Sequence, residues 1–333
     1  MTQTIDQALP LAAEREPIQE QLEWSVCSLF AGCGGLDYGF LGGFRYMGDE
    51  YERTAFNIRA AYEKDSNAVV TYQNNIGDHI VEADLTEYSP LEMPAHDVLI
   101  GGFPCQDFSS CGPKRGLQSE RGNLYKVFLG VMEHHRPKVV VAENVPHILR
   151  MDDGRVIETI LSDLTAVGYN FRVWTLFAPR FGVPQNRTRV FLVGVRNDLN
   201  GFPIEPQATN ELEYNSIDWA IGDLENVIDE SIPNQSQFFR ASKAKNGNGQ
   251  GDEVNRIGEP SYTIRANAKS RVHFHYNLER RLTVRECARL QTFPDEFVFP
   301  HSTTTNIMQI GNAVPPILSH HVARSIQEYL RTL

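Results

Sequence analysis

Short apolar runs alternate with helix-length stretches from residue 24 to residue 196, and this alternation constrains the fold more than any other feature of the chain. Val26–Phe30, Thr54–Ala60, Asp97–Phe103, Lys138–Ala142, Phe171–Leu176 and Val190–Val195 read as strands. Leu36–Gly42, Ser66–Asn74, Leu124–His135 and Arg155–Val167 read as helices between them. Strands separated by helix-length segments predict the α/β class: a doubly wound, mostly parallel sheet with helices on both faces. The alternation stops near Asn197, and Pro, Gly, Asn and aromatic residues are scattered through about residue 280. Regular helical character returns at Leu282–Thr292 and Pro316–Leu330. The expected organisation is a polar tail (1–23), a main domain (24–196 with 305–333), a small loop-rich domain (197–280) and a hinge (281–304).

Charge narrows the function classes. The chain of 333 residues has a formal net charge of −11, which argues against coating nucleic acid through bulk charge. The distribution is uneven, however. Residues 198–237 hold nine acids and no Lys or Arg, whereas residues 238–290 hold eleven bases against five acids. A local basic surplus is the footprint of a phosphate-binding surface, although a solvated charged face has the same composition. No apolar stretch reaches the roughly 18 residues that span a bilayer. Met1 to Glu23 is polar and lacks the apolar core of a signal peptide, so a cytoplasmic location is expected. The five cysteines (27, 33, 105, 111 and 287) have no metal-type spacing; free thiols in a reducing compartment and no metal are expected.

Chemistry-bearing residues gather at the expected strand ends. The run Asp97–Phe103 is closed by Pro104, which leaves Cys105 at the carboxyl end of a strand, the edge where open α/β sheets bind ligands. A thiol there is placed as a nucleophile; a buried structural Cys is the alternative. Phe30-Ala31-Gly32-Cys33-Gly34-Gly35 is a Gly-rich turn after the first strand, and Glu63 follows the second, where a carboxylate can hold ribose hydroxyls. Nicotinamide and S-adenosylmethionine enzymes share that arrangement, so the turn alone does not identify the ligand. Glu143 ends the strand Val139–Ala142, and Gln185, Arg187 and Arg189 share one face if their stretch is extended. The polar segment 105–124, with Gly112, Gly116 and Gly122, reads as a mobile active-site lid.

These motifs, in this order, resemble those of the C5-cytosine DNA methyltransferase family. They are Ser28-Leu29-Phe30-Ala31-Gly32-Cys33-Gly34-Gly35, Gly102-Phe103-Pro104-Cys105-Gln106, Glu143-Asn144-Val145, Gln185-x-Arg187-x-Arg189, Arg281-Leu282-Thr283 through Phe293-Pro294, and Gly311-Asn312-Ala313-Val314. The resemblance covers about residues 24–330 except the variable stretch near 197–260. It implies a Rossmann-like S-adenosylmethionine-dependent methyltransferase fold, with the small domain serving target recognition. It implies Cys105 as the nucleophile toward C6 of a flipped cytosine, and Glu143 at N3 and the exocyclic amine. Arg189 falls to the base O2 and Arg187 to its support. For the donor, S-adenosyl-L-methionine, it points to Phe30, Gly32, Gly34, Gly35, Glu63, Asp84, Pro104, Leu124 and Asn312. Glu63 would take the ribose hydroxyls and Asp84 the adenine amine, unless Asp84 merely caps the turn at Thr86. Ser109, Arg121, Arg240, Lys243, Gln250, Thr263, Arg265 and Arg271 are the DNA-contact candidates, and Thr263-Ile264 resembles a Thr-Leu pair of the family. Two departures are Ala313, where Ser is commoner, and Ala142, where many members have Met.

The expected partner is double-stranded DNA, with a restriction endonuclease acting separately and the enzyme a monomer. A tRNA cytosine methyltransferase on the same scaffold is the first alternative, but its Cys-Phe-Thr tripeptide is missing here. A catalytically silent DNA-binding relative is the second, opposed by intact Cys105, Glu143 and Arg189.

Overall fold

The computed structural model describes residues 23–104, 124–238, 253–266 and 273–333. Strands β1 (Trp24–Leu29), β2 (Phe44–Tyr46), β3 (Asp49–Tyr51), β4 (Phe56–Glu63), β5 (Ile80–Glu82), β6 (Val98–Gly101), β7 (Val139–Asn144), β8 (Tyr169–Phe177) and β9 (Thr188–Arg196) follow in chain order. The helices are α1 (Gly35–Leu41), α2 (Ser66–Asn75), α3 (Leu124–His135), α4 (Arg155–Ala166), α5 (Ile217–Ile221), α6 (Val284–Leu290), α7 (Thr303–Asn312) and α8 (Pro316–Leu330). Among the described residues seven strands form one sheet in the order β5-β4-β1-β6-β7-β9-β8, and β2–β3 is a separate hairpin.

Strands β5 through β7 are parallel, and β9 runs antiparallel to both β7 and β8. The chain moves outward from β1 through β4 to β5, then returns to β6 on the other side. That reversal opens a crevice between β1 and β6, the usual ligand position in such sheets. Alternate residues sort the core. Val26, Ile58, Val98, Val139 and Val193 pack toward α1 and α8, whereas Cys27, Leu99, Val140 and Leu192 pack toward α3 and α4. The period-2 pattern therefore feeds two helical layers.

The doubly wound expectation holds, with one difference in direction. Phe171–Leu176 and Val190–Val195 lie in β8 and β9, which form an antiparallel pair. A crossover helix is absent between them; a short 3-10 turn at Ala178–Phe181 and an irregular stretch to Arg187 connect them instead. Buried strands of either direction read as apolar runs, so the pattern cannot distinguish them. The 3-residue strand β5, the β2–β3 hairpin and α7 also escaped the sequence reading.

A third core joins α5, α6, α7 and the aromatics Phe293, Phe297 and Phe299, and it also receives Cys33 of the Gly-rich turn. Segment 281–304, expected as a hinge, carries α6 and contributes much of this core. Thr283 and Glu286 form a reciprocal capping box at the start of α6. The charge contrast is partly internal. Arg289 pairs with Asp223 and Asp295, Arg280 pairs with Glu286, and buried Arg285 donates to the carbonyls of Pro233, Pro294 and Phe297. The basic surplus facing outward is therefore smaller than composition suggests. No helix among the described residues is long and apolar enough to cross a membrane.

Candidate active site

The parallel strands bring their carboxyl ends to one edge, and a cavity of about 850 Å³ opens there. Its walls include the Gly-rich turn, Glu63, Asp84, Gly101–Pro104, Leu124, Glu143, Asn144 and Asn312–Val314. A volume of this size suits a nucleoside-sized ligand.

The turn after β1 is tightly tied. Phe30 leaves the strand with φ +56°, and Gly34 adopts φ +90° where an added Cβ would lie 2.2 Å from Ile76 Cδ1. Only glycine tolerates both constraints at Gly34. The Gly32 N–H donates to Glu63 Oε2 at 2.8 Å, and the Lys64 and Asp65 N–H groups donate to Oε1 at 2.8 Å each. Three backbone donors thus fix the Glu63 carboxylate between β1 and β4, with remaining lone pairs open to hydroxyl donors. At the far wall, Asp84 Oδ1 accepts from Thr86 N and Oγ1, while Oδ2 pairs with Lys64. Lys64 and Thr86 hold its carboxyl down at about 2. The capping turn expected as an alternative for Asp84 is present, and the residue lines the cavity as well.

On the other side, the β6 turn meets β7. The side-chain amide of Asn144 donates to Phe103 O at 3.0 Å and its Oδ1 accepts from Val145 N at 2.9 Å, which fixes the Phe103-Pro104 bend. An added Cβ on Gly102 would lie 2.8 Å from Glu143 Oε2, so a side chain there would push that carboxylate aside. Glu143 and Arg189 are 8% and 7% exposed, and Arg189 Nε lies 2.7 Å from Glu143 Oε1. Burial pushes the Glu143 carboxyl above its ordinary range; Arg189, then Arg187, oppose that rise. A buried carboxyl with a raised pKa can donate as well as accept a proton near neutrality.

The antiparallel course of β9 puts Arg189 here. Asn144 pairs with Val190, so the start of β9 reaches the edge where the parallel strands end. Gln185, Arg187 and Arg189 are all buried, not members of a surface ion-pair row. Arg187 is turned to the carbonyls of Ile264, Gly311 and Ala313. Its charge also acts on Glu143 alongside that of Arg189.

Phe30, Gly32, Gly35, Glu63, Asp84, Pro104, Leu124 and Asn312 all line the cavity, and Gly34 supports it from behind. Sequence reasoning missed Asn144, although it lies inside the Glu143-Asn144-Val145 motif, and missed Lys64 as the partner of Asp84. Of the DNA-contact candidates, Arg265 is exposed, and half-buried Thr263 donates its hydroxyl to Asn186 O. Cys105, Ser109, Arg121, Arg240, Lys243, Gln250 and Arg271 lie outside the described residues. Among the described residues no cluster of three His, Cys, Asp or Glu could hold a metal ion.

Comparison with known proteins adds independent findings. The C-5 cytosine-specific DNA methylase profile matches residues 24–328. The chain is 36% identical over 331 residues to Type II methyltransferase M.NgoFVII of Neisseria gonorrhoeae, covering 90% of this chain and 86% of that one. It is 32% identical over 337 residues to Type II methyltransferase M.FnuDI of Fusobacterium nucleatum, covering 92% and 94%. A prophage-encoded DNA modification methyltransferase of E. coli has the same fold, with a TM-score of 0.71 at 21% identity, covering 93% of this chain and all of that one.

Proposed function

Because the chain belongs to the C-5 cytosine-specific DNA methylase family, and is a cytosine-C5 DNA methyltransferase of the Type II restriction-modification kind, we propose that it works by covalent catalysis through Cys105 on a flipped-out cytosine. The observation that carries this reading is that one cavity joins the two carboxylates. It runs from a fixed carboxylate, Glu63, to the buried Glu143 beside Arg189, with Pro104, the residue before Cys105, on its wall.

The methyl donor is S-adenosyl-L-methionine, which supplies an electrophilic methyl group on a sulfonium and leaves as S-adenosyl-L-homocysteine. The residues present fit it: Glu63 has lone pairs for the ribose hydroxyls, Asp84 an acceptor for the adenine amine, and Phe30 a ring face at the cavity wall. Gly32, Gly34 and Gly35 let the backbone approach, and Pro104, Leu124 and Asn312 close the remaining sides.

Cytosine C5 is too weak a nucleophile to take a methyl group unaided. The Cys105 thiolate adds to C6, and electron density moves through the ring to C5. Glu143 stabilises that density by giving a proton or hydrogen bond at N3, which its raised pKa favours. Arg189 holds Glu143 and offers its remaining N–H groups to the base O2. C5 then takes the methyl group, a solvent water takes the C5 proton, the Cys105–C6 electron pair returns to sulfur, and N3 gives its proton back to Glu143, which restores aromaticity. The base must leave the duplex stack to reach this pocket, at a cost of a few kcal/mol. Ser109, Arg121, Arg240, Lys243, Gln250, Thr263, Arg265 and Arg271 make the DNA contacts. The modification protects DNA against a separately acting endonuclease, and the enzyme acts as a monomer.

The test uses the purified chain, S-adenosyl-L-methionine and mixed-sequence duplex DNA, with bisulfite sequencing to locate methylated cytosines and tRNA as a parallel substrate. Duplex carrying 5-fluorocytosine at the identified site should trap a covalent adduct that Cys105→Ser abolishes. An adduct that survives the substitution sinks Cys105 as the nucleophile.

A further inference from the structure

Arg187 is almost completely buried, and both of its Nη groups donate to backbone carbonyls. Nη1 donates to Ile264 O at 3.0 Å; Nη2 donates to Gly311 O and Ala313 O, both at 2.8 Å. Gly311 and Ala313 flank Asn312, and Asn312–Val314 line the donor cavity. Ile264 lies between Thr263 and Arg265, the two described residues assigned to DNA. One side chain therefore grips both the recognition segment and the cofactor wall.

A second strand of contacts runs in parallel. Gln185 Oε1 accepts from Ile264 N at 3.0 Å, so both polar groups of residue 264 are held from the approach to β9. Gln185 Nε2 donates to Gln291 Oε1 at 2.7 Å, and Gln291 Nε2 donates to Ala313 O at 2.5 Å. Asn186 donates its N–H to Ser261 O at 2.8 Å and accepts from the Thr263 hydroxyl. The two segments also touch directly. A Cβ on Gly311 would lie 2.4 Å from both the Arg265 carbonyl carbon and the Ala266 nitrogen.

We propose that Arg187 is a positioning residue that couples DNA recognition to donor binding, so that each ligand tightens the other through the shared grip on residues 263–266 and 311–313. The inference rests on the assignment of Thr263 and Arg265 to DNA and of Asn312 to the donor. Its physical basis is the planar, rigid guanidinium fork, which fixes the angles among three carbonyls. Hydrogen bonds from a charged donor are about twice as strong as neutral ones. Moving the Ile264 carbonyl therefore tilts the fork and disturbs Gly311 and Ala313. Thermodynamic linkage makes the effect reciprocal.

The experiment measures the dissociation constant of S-adenosyl-L-homocysteine by calorimetry on the full chain. It is done alone and with saturating duplex that carries the methylation site found by bisulfite sequencing. The wild-type protein should bind the nucleoside about tenfold more tightly with DNA present, a typical coupling factor. DNA binding should tighten by the same factor when the nucleoside is saturating. Arg187→Lys and Arg187→Met should bring the factor close to one. A purely structural Arg187 would weaken both ligands and leave their ratio unchanged, which refutes coupling. Thr263→Val deletes the hydroxyl bond to Asn186 within the same grip; even where it also weakens DNA binding, the factor read at saturating duplex should fall part-way, so it serves if the Arg187 variants do not fold. A wild-type factor of one overturns the inference by itself. If such a protein still methylates DNA, the functional reading survives; a protein that neither methylates DNA nor binds the nucleoside removes both.

Discussion

Replacing Arg189 with Met removes one charge of the buried pair while keeping most of its volume. Arg189 Nε and Glu143 Oε1 are 2.7 Å apart with both side chains about nine-tenths buried. At an effective dielectric near 20, unit charges at that distance attract by about 6 kcal/mol. Part of that attraction offsets the cost of burying both ions, and breaking a buried pair by deleting one partner costs about 3–5 kcal/mol. The loss should depend on pH. Burial already raises the Glu143 carboxyl above its ordinary value, and Arg189 is the largest influence opposing that rise. Without Arg189 the carboxyl rises further. An acid whose pKa is higher in the folded chain stabilises the fold fully below its unfolded pKa and loses that contribution as pH climbs through the folded value. The deficit of Arg189→Met should therefore be largest near pH 7.5 and smaller near pH 5.5.

Urea unfolding at both pH values, on wild type, Arg189→Met, Glu143→Gln and the double variant, reads this out. The single variant should lose about 3 kcal/mol near pH 7.5 and distinctly less near pH 5.5. Adding Glu143→Gln should restore most of the loss, because the uncompensated charge is then gone. An equal deficit at both pH values, or a double variant whose loss is the sum of the single losses, refutes the reasoning.

Asp37 supplies a second pH-dependent prediction. It is fully buried under the Gly-rich turn, accepts from Ser28 Oγ at 2.7 Å and Tyr72 OH at 2.8 Å, and burial pushes its carboxyl up to about 6. Its contribution is fully present below about pH 4 and is lost as pH rises through about 6, so Asp37→Asn should flatten the wild-type fall in unfolding free energy across that window by on the order of 2 kcal/mol; an unaltered pH profile counts against it. Gly102→Ala should displace the Glu143 carboxylate and slow single-turnover methylation by roughly 10- to 100-fold with little change in S-adenosyl-L-homocysteine affinity. A wild-type rate would show that the close approach is dispensable.

The alternation of apolar runs was enough to place most of the sheet, because strands buried on both faces leave a simple pattern and the crossover helices supply the spacing. The residues that the structure brings to the cavity were legible in type and in order: carboxylates at Glu63 and Glu143, and an arginine, Arg189, beside the second. Less legible was what each side chain holds. Asp84 is split between a local turn, Lys64 and the cavity. Arg280, Arg285 and Arg289 sit in a basic stretch but are consumed by internal acids and carbonyls. Local pattern carries no information about such partners, which come from distant parts of the chain.

Sequence alone determined the chemistry available, since residue identity fixes which groups can act as nucleophile, acid or acceptor, and local periodicity fixes strand and helix. Tertiary structure decided where that chemistry meets. A parallel β9 would carry Arg189 to the opposite edge of the sheet; its antiparallel pairing with β7 delivers Arg189 to Glu143. Strand direction depends on the short connection at residues 178–187 and on pairing with a strand more than forty residues earlier. The orientation of Arg187 likewise depends on Ile264, Gly311 and Ala313, each more than seventy positions away. Neither arrangement leaves a periodic trace, because a contact across the fold is satisfied by the three-dimensional position of a carbonyl or carboxylate and not by its spacing along the chain.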